Sequence, residues 1–207
     1  LVGSEMCIRD SGGTVRLSGG DYVSGTLILR SNVRLMVDSG SRLLASTDLA
    51  DYPEQIARRL TVQDTNMGMN QSLIFAEGCE NICICGGGEL DGQGTRANFP
   101  GDETCHGTPG RPFLMRIVDC RDVHVHDITL RSAACWMENY LNCDRVLLER
   151  VTVRNQTNYN NDGIDIDGCR DVIIRNCDVE SGDDACCFKG ASCLLYTSPS
   201  PRDGLLS

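Results

Sequence analysis

Several things are scarce in this 207-residue chain, and each scarcity removes a class of protein. No apolar run approaches the roughly 20 residues that a helix needs to cross a bilayer, so no membrane-spanning helix is expected. Basic residues are few. Lys+Arg 19 against Asp+Glu 29 leave a net charge of -10, which disfavours a nucleic-acid backbone as partner. Aromatic residues make up 5% of the chain against 22 glycines, which points to a turn-rich fold with thin side-chain packing. Helical periodicity is nearly missing, and a short helical turn is expected only around Pro53–Leu60. Cysteine is plentiful, at 13, but no Cys-x-x-Cys pair occurs, so a structural zinc site is not expected.

The two ends are related in a way that folding does not produce. Leu1–Asp10 back-translates to ctc gtg ggc tcg gag atg tgt ata aga gac. The reverse complement of that string, read in another frame, encodes Leu194-Leu195-Tyr196-Thr197-Ser198-Pro199-Ser200-Pro201-Arg202. Residues 1–11 and 193–207 are therefore expected to be translated adapter, and 12–192 to be the informative, incomplete chain. Those ends carry three acids and two arginines, so the acidity belongs to the middle. Removing Cys7 and Cys193 leaves an odd number of cysteines, which argues against a disulfide framework.

A repeat organises that middle. Cys79-Glu80-Asn81-Ile82-Cys83-Ile84 recurs as Cys120-Arg121-Asp122-Val123-His124-Val125, as Cys143-Asp144-Arg145-Val146-Leu147-Leu148 and as Cys169-Arg170-Asp171-Val172-Ile173-Ile174. A second alternating pair follows the last three copies: Ile128/Leu130, Val151/Val153 and Cys177/Val179. Alternation over such short spans means strands with one buried face. The last three copies are 23 and 26 residues apart, a period that means stacked units. The Leu-x-x-Leu-x-Leu-x-x-Asn line of a leucine-rich repeat is not present. An all-β, right-handed, single-stranded parallel β-helix fits, with the repeat cysteines as small apolar residues in an internal ladder, neither ligands nor disulfides. The excess spacing between the first two copies lies in Thr95–Gly110, read as a long loop leaving the solenoid.

The densest acidic segment is Asn160-Asn161-Asp162-Gly163-Ile164-Asp165-Ile166-Asp167, followed by Ser181-Gly182-Asp183-Asp184-Ala185. Asp162 and Asp184 are 22 residues apart, which is one coil. If Ile164 stacks on Cys186 and Ile166 on Phe188, Asp162 lies beside Asp184 at the rung spacing of about 4.8 Å. Three carboxylates, Asp162, Asp183 and Asp184, then share a patch, and their repulsion should keep one protonated. An acid beside ionised bases can cleave a glycosidic bond. The same residue types also suit a surface Asp-Gly turn or a calcium site.

Asn160-Asn161-Asp162-Gly163 with Gly182-Asp183-Asp184 and Lys189 resembles glycoside hydrolase family 28, the polygalacturonases and relatives. Gly12-Gly13-Thr14-Val15, Ser31-Asn32-Val33, Asp51-Tyr52-Pro53, Asp91-Gly92-Gln93-Gly94 and Arg111-Pro112 extend the likeness across residues 12–190. The resemblance implies the parallel β-helix of the pectin-lyase-like solenoids and an inverting hydrolase of pectic polysaccharide, polygalacturonan or rhamnogalacturonan. By motif position Asp183 is the general acid, and Asp162 and Asp184 activate the water. Asn160 orients the sugar or a carboxylate. Asn161 stands where many members have Thr. The family's downstream Gly-His-Gly and Arg-x-Lys motifs are not in this sequence, so activity is expected of a longer parent and not of this piece. Lys189, the single lysine, is expected outward, one rung from Asp167, either as a surface ion pair or as a substrate contact. His106 is misplaced to serve as the family His. His124 and His126 are expected outward and solvated, and Trp136 either stacks on sugar or packs. The resemblance also implies a secreted or periplasmic monomer with no cofactor. Two rival readings stay open on the same solenoid: a calcium-dependent pectate-lyase-like enzyme, and a non-catalytic glycan-binding β-helix.

Overall fold

The computed structural model describes residues 12–58, 70–101 and 110–190. The two ends read as adapter, together with Leu60 and His106, lie outside the described residues.

Sixteen strands, all paired in parallel, wind the described residues into six stacked coils. The first coil holds β1 (Gly13–Leu17), β2 (Asp21–Ser24) and β3 (Leu27–Ile28). The second holds β4 (Val33–Val37), β5 (Arg42–Ala45) and β6 (Ser72–Glu77), and the third β7 (Glu80–Cys85), β8 (Glu89–Asp91) and β9 (Phe113–Val118). In the fourth and fifth coils the first two strands run together as β10 (Arg121–Arg131) and β12 (Asp144–Asn155), followed by β11 (Glu138–Leu141) and β13 (Ile164–Asp167). The sixth has β14 (Arg170–Arg175), β15 (Asp178–Ser181) and β16 (Cys186–Lys189). Each strand lies on its counterpart one coil away. β3, β6, β9, β11, β13 and β16 form a sheet of their own, while the other two columns merge through β10 and β12. This is the parallel β-helix expected from the repeat, wound in the right-handed sense that parallel crossovers favour.

The repeat is a corner signal as much as a strand signal. Asn32, Asn81, Asp122, Arg145 and Asp171 occupy equivalent positions and all have φ between 51° and 62°. A second set, Gly78, Asp119, Asn142 and Gly168, immediately precedes each repeat cysteine, with φ between 48° and 62°. Left-handed backbone of this kind is tolerated by Asn, Asp and Gly, and it turns the chain from one sheet to the next. Between the two left-handed residues the thiol is turned inward: Cys79, Cys120 and Cys143 are buried and Cys169 half-buried. The Cys79 amide donates to Cys120 Sγ at 3.4 Å and the Cys143 amide to Cys169 Sγ at 3.2 Å. Every described cysteine is a free thiol, so the ladder is one of packing.

The alternating pairs also stack as the sequence implied. Ile128 sits on Val151, Leu130 on Val153, and Val153 on Val179. Together with Leu35, Ile84, Val125 and Leu148 they fill one continuous apolar core along the solenoid axis. The helical turn expected at Pro53–Leu60 is not formed in its described part. Among the described residues a single 3-10 turn falls earlier, at Leu49–Asp51, with Asp48 accepting from the Ala50 amide. Residues 53–58 instead lie as a strap on the outer face of β6 and β9, because Ala57 buries against Phe75, Val118 and Leu141. Gln55 holds it there, donating to Thr26 Oγ1 and accepting from Ser72 Oγ. The described start of the loop at Thr95–Gly110 is likewise anchored to the solenoid, with Phe99 buried edge-on against Tyr52.

Candidate active site

Two consecutive turns of the solenoid build the site. The first runs from Asn155, the end of β12, to Ile164 at the start of β13, and the second from Ser181, the end of β15, to Cys186 at the start of β16. The register across β13 and β16 is Ile164 on Cys186 and Ile166 on Phe188, as the spacing implied. It continues backwards through the turns: the Gly163 amide donates to Asp184 O at 2.8 Å and the Ile164 amide to Ala185 O at 3.1 Å. Asp162 therefore lies one rung from Asp183-Asp184. Gly163 is required by this approach, since a Cβ there would sit 2.5 Å from Ala185 O and 2.7 Å from Val179 Cγ1.

The first turn is pinned by buried amides. Asn155 accepts from the Ala133 amide at 3.0 Å and donates to Cys135 O at 2.9 Å and to Asp162 O at 2.8 Å. Asn161 donates to Ala133 O at 3.0 Å and Cys135 O at 2.9 Å, and it accepts from the Asn158 amide. Asn158 reaches across to Gly94 O and Phe99 O. Asn161, the departure from the usual Thr, thus holds the backbone of the motif in place. Asn160 has φ 51° and accepts from Arg111 Nη2 at 2.8 Å, while Arg111 Nη1 donates to Tyr159 O at 2.6 Å.

The carboxylates divide by exposure. Asp183 and Asp184 are exposed, whereas Asp162 and Asp165 are buried. Burial raises the Asp162 pKa; the Lys189 ammonium opposes the rise, and Asp183 and Asp184 add to it. Burial, with the neighbouring Asp162 charge, pushes Asp165 up to about 7. Burial, more than repulsion among three acids, is thus what raises a carboxyl here, and the large rise falls on Asp165, outside that trio. Lys189 does not make the exposed pair expected of it. Only 16% of its side chain is exposed, and its ammonium lies 2.6 Å from Asp165 Oδ1 and 3.2 Å from Asp162 Oδ2. The same ammonium is 3.9 Å from the centre of the Trp136 ring. Burial opposes that charge, but the two carboxylates outweigh it and raise the Lys189 pKa. Trp136 is itself buried, edge-on to Phe113 at 5.5 Å, so it packs and covers the lysine. Beneath this floor, inside the solenoid, Glu138 is fully buried. It accepts from Tyr140 Oη at 2.6 Å and is pushed up to about 7 by burial.

A family model described as "Glycosyl hydrolases family 28" matches residues 31–195. The chain belongs to this family. An endo-polygalacturonase of Pectobacterium carotovorum subsp. carotovorum is 26% identical over 195 residues, covering 86% of this chain and 48% of that protein. The solved structure of a polygalacturonase from Erwinia carotovora ssp. carotovora superposes with a TM-score of 0.72 at 25% identity, over 86% of this chain and 52% of its own. A Thermotoga maritima exopolygalacturonase gives a TM-score of 0.75 at 22% identity, over 90% of this chain and 49% of its own, and bears on the fold. The chain spans about half the length, or less, of the curated relatives it matches.

For this family 28 chain the sequence reading paired the two turns as the register does and missed what lies under them. Asp162 lies one rung from Asp184, and the charges of Asp183 and Asp184 both act on it. Asn160 is at its rim, tied to Arg111. Asp165 was in view as part of the acidic run, but strand alternation alone makes it an outward surface residue. It is buried, with the Lys189 ammonium against it and Trp136 against that ammonium. Glu138 carried no signal, because inward carboxylates are rare enough that pattern reading places them outside.

Proposed function

We propose that the longer protein containing this chain hydrolyses glycosidic bonds in pectic polysaccharide, by one inverting displacement with water. Asp183 acts as the general acid towards the leaving oxygen, and Asp162 with Asp184 activates the water. The observation that carries this reading is the register that sets Asp162 one rung from Asp183-Asp184, with the Gly163 amide on Asp184 O. The Lys189 ammonium accounts for an ionised Asp162 in a buried place, and a base whose pKa is raised by burial pulls harder on a water proton once ionised. Asn160 and Lys189 serve as substrate-side positions at the edges of the site, Asn160 through Arg111 and Lys189 through the charge balance of the floor.

The calcium-dependent lyase gains no support from this geometry. A cation already lies between Asp162 and Asp165, namely the Lys189 ammonium, and a calcium ion there would meet it as a like charge. We assign the protein to the secreted or periplasmic space and to a monomeric state, in keeping with the polymeric substrate. The net charge of -10 repels a polyanion at long range, which makes a less charged, rhamnose-containing chain a substrate worth equal testing.

The test is to express the complete reading frame and supply polygalacturonan and rhamnogalacturonan separately. The expected result is new reducing ends with inverted anomeric configuration by NMR, no ultraviolet-absorbing unsaturated product, and insensitivity to chelator. Asp183→Asn should lower kcat by about 10²–10⁴-fold, the usual contribution of a positioned general acid. Unsaturated products lost on chelation would establish the lyase. Unchanged turnover in Asp183→Asn, or no turnover on either polymer, would refute the hydrolase assignment.

A further inference from the structure

A second cluster of reactive side chains lies on a different sheet from the carboxylates and has no part in the proposed hydrolysis. On β7, Ile82 and Ile84 point into the core, so Cys83 and Cys85 face outward; on β10, Val123 and Val125 point in, so His124 and His126 face outward. β7 and β10 are neighbouring rungs, with His124 on Cys83 and Val125 on Ile84. A Cys-x-Cys pair therefore lies directly under a His-x-His pair. Three of the four, Cys83, Cys85 and His126, bring their ligand atoms within 4.8 Å of one another.

We propose that Cys83, Cys85 and His126 form a binding site for a thiophilic d10 cation, with zinc as the ion. Zinc bonds of about 2.3 Å to sulfur and 2.0–2.1 Å to nitrogen, at a tetrahedral angle, hold the two ligand atoms about 3.6 Å apart. Cys83 Sγ and His126 Nε2 are 3.6 Å apart. Bringing Cys85 Sγ into the same shell asks for about 1 Å of closure, within the reach of a thiol rotamer. Three protein ligands are what zinc keeps where one position is open.

The imidazole is held as a metal-bound histidine usually is. His126 Nδ1 lies 2.7 Å from Asp127 Oδ2, an arrangement that puts the proton on Nδ1 and turns the Nε2 lone pair towards Cys83. Asp127 is in turn gripped by Arg150, with Nε at 2.6 Å from Oδ1 and Nη2 at 2.8 Å from Oδ2. His124 stacks on His126 with ring centres 4.1 Å apart, which fixes the ring plane. Charge also balances. Binding Zn2+ displaces one proton from each thiol, and two thiolates, one neutral imidazole and Zn2+ sum to zero, so burial is not penalised. Met36, one rung below Cys85, places a thioether-bearing residue next to the cluster. A search for Cys-x-x-Cys looks along one strand and misses a site whose ligands come from two rungs.

The test uses the 207-residue chain, reduced and metal-free. Cobalt(II) titration should saturate at one equivalent, with a thiolate-to-cobalt charge-transfer band in the near ultraviolet and the d–d bands of a tetrahedral ion, both bleached by zinc. Zinc binding at neutral pH should release two protons per ion. Cys83→Ser and His126→Ala should each abolish the one-equivalent endpoint, and Asp127→Asn, a positioning change, should weaken it about 10–100-fold. If a variant does not fold, the wild-type chain decides alone. Zinc should protect Cys83 and Cys85 from alkylation, read by peptide mass mapping, while Cys186 and Cys187 still react. No saturable binding, binding unaltered in Cys83→Ser, or protection mapping to other cysteines would overturn the proposal.

Discussion

Glu138 offers the sharpest test of the site's electrostatics, because its carboxyl is fully buried inside the solenoid under Asp165. Burial pushes its pKa from the usual 4.5 up to about 7. The groups facing it are Tyr140 on its own strand, which donates to it, Asp165 from β13 and the Cys186 thiol from β16. Its folded pKa lies above its unfolded one, so the native state holds the proton where the unfolded chain has lost it. Stability from this group is fully present below about pH 4.5 and drains away as pH rises towards 7, then levels off. A gap of about 2.5 pKa units at 1.36 kcal/mol each gives roughly 3 kcal/mol across that window. Glu138→Gln copies the protonated form, keeps an oxygen for Tyr140 and cannot ionise. Urea unfolding of both proteins at pH 5 and pH 8 should show the variant roughly matching wild type at the lower pH, or exceeding it slightly. At pH 8 it should exceed wild type by roughly 3 kcal/mol. Parallel pH dependence in the two proteins would refute the claim that this carboxyl is neutral in the folded state.

Three other substitutions probe the same floor. Lys189→Met leaves Asp162 and Asp165 buried without their cation; denaturant midpoints should show about 3–5 kcal/mol lost at pH 8 and clearly less at pH 5, where Asp165 keeps its proton. Asn161→Ala strips the Ala133 carbonyl of its side-chain donor, leaves Cys135 O with Asn155 alone, and should cost about 1–3 kcal/mol for the carbonyl left without a replacement, measured the same way. Gly163→Ala drives a methyl into Ala185 O and Val179, so amide exchange should speed up at Gly163 and Ile164 while β4 and β7 keep their protection.

What could be read from the residues was whatever repeats at the spacing of one coil. The Cys-x-x-apolar-x-apolar line gave the coil length, and the 22-residue step from Asp162 to Asp184 put two turns side by side. Periodicity reports these because each repeat sees the same neighbours above and below. Residues that depend on a neighbour from elsewhere in the chain carried no such mark. Asp165 is buried against the Lys189 ammonium, which itself lies against Trp136. Residues 53–58 are a strap instead of a helical turn because Ala57 finds Phe75 and Val118 on the outer faces of two neighbouring coils. Burial sets which carboxyl holds a proton, and stacking sets which thiol meets which imidazole. Both are sums over atoms distant in sequence, so they came into being only when the coils closed on one another.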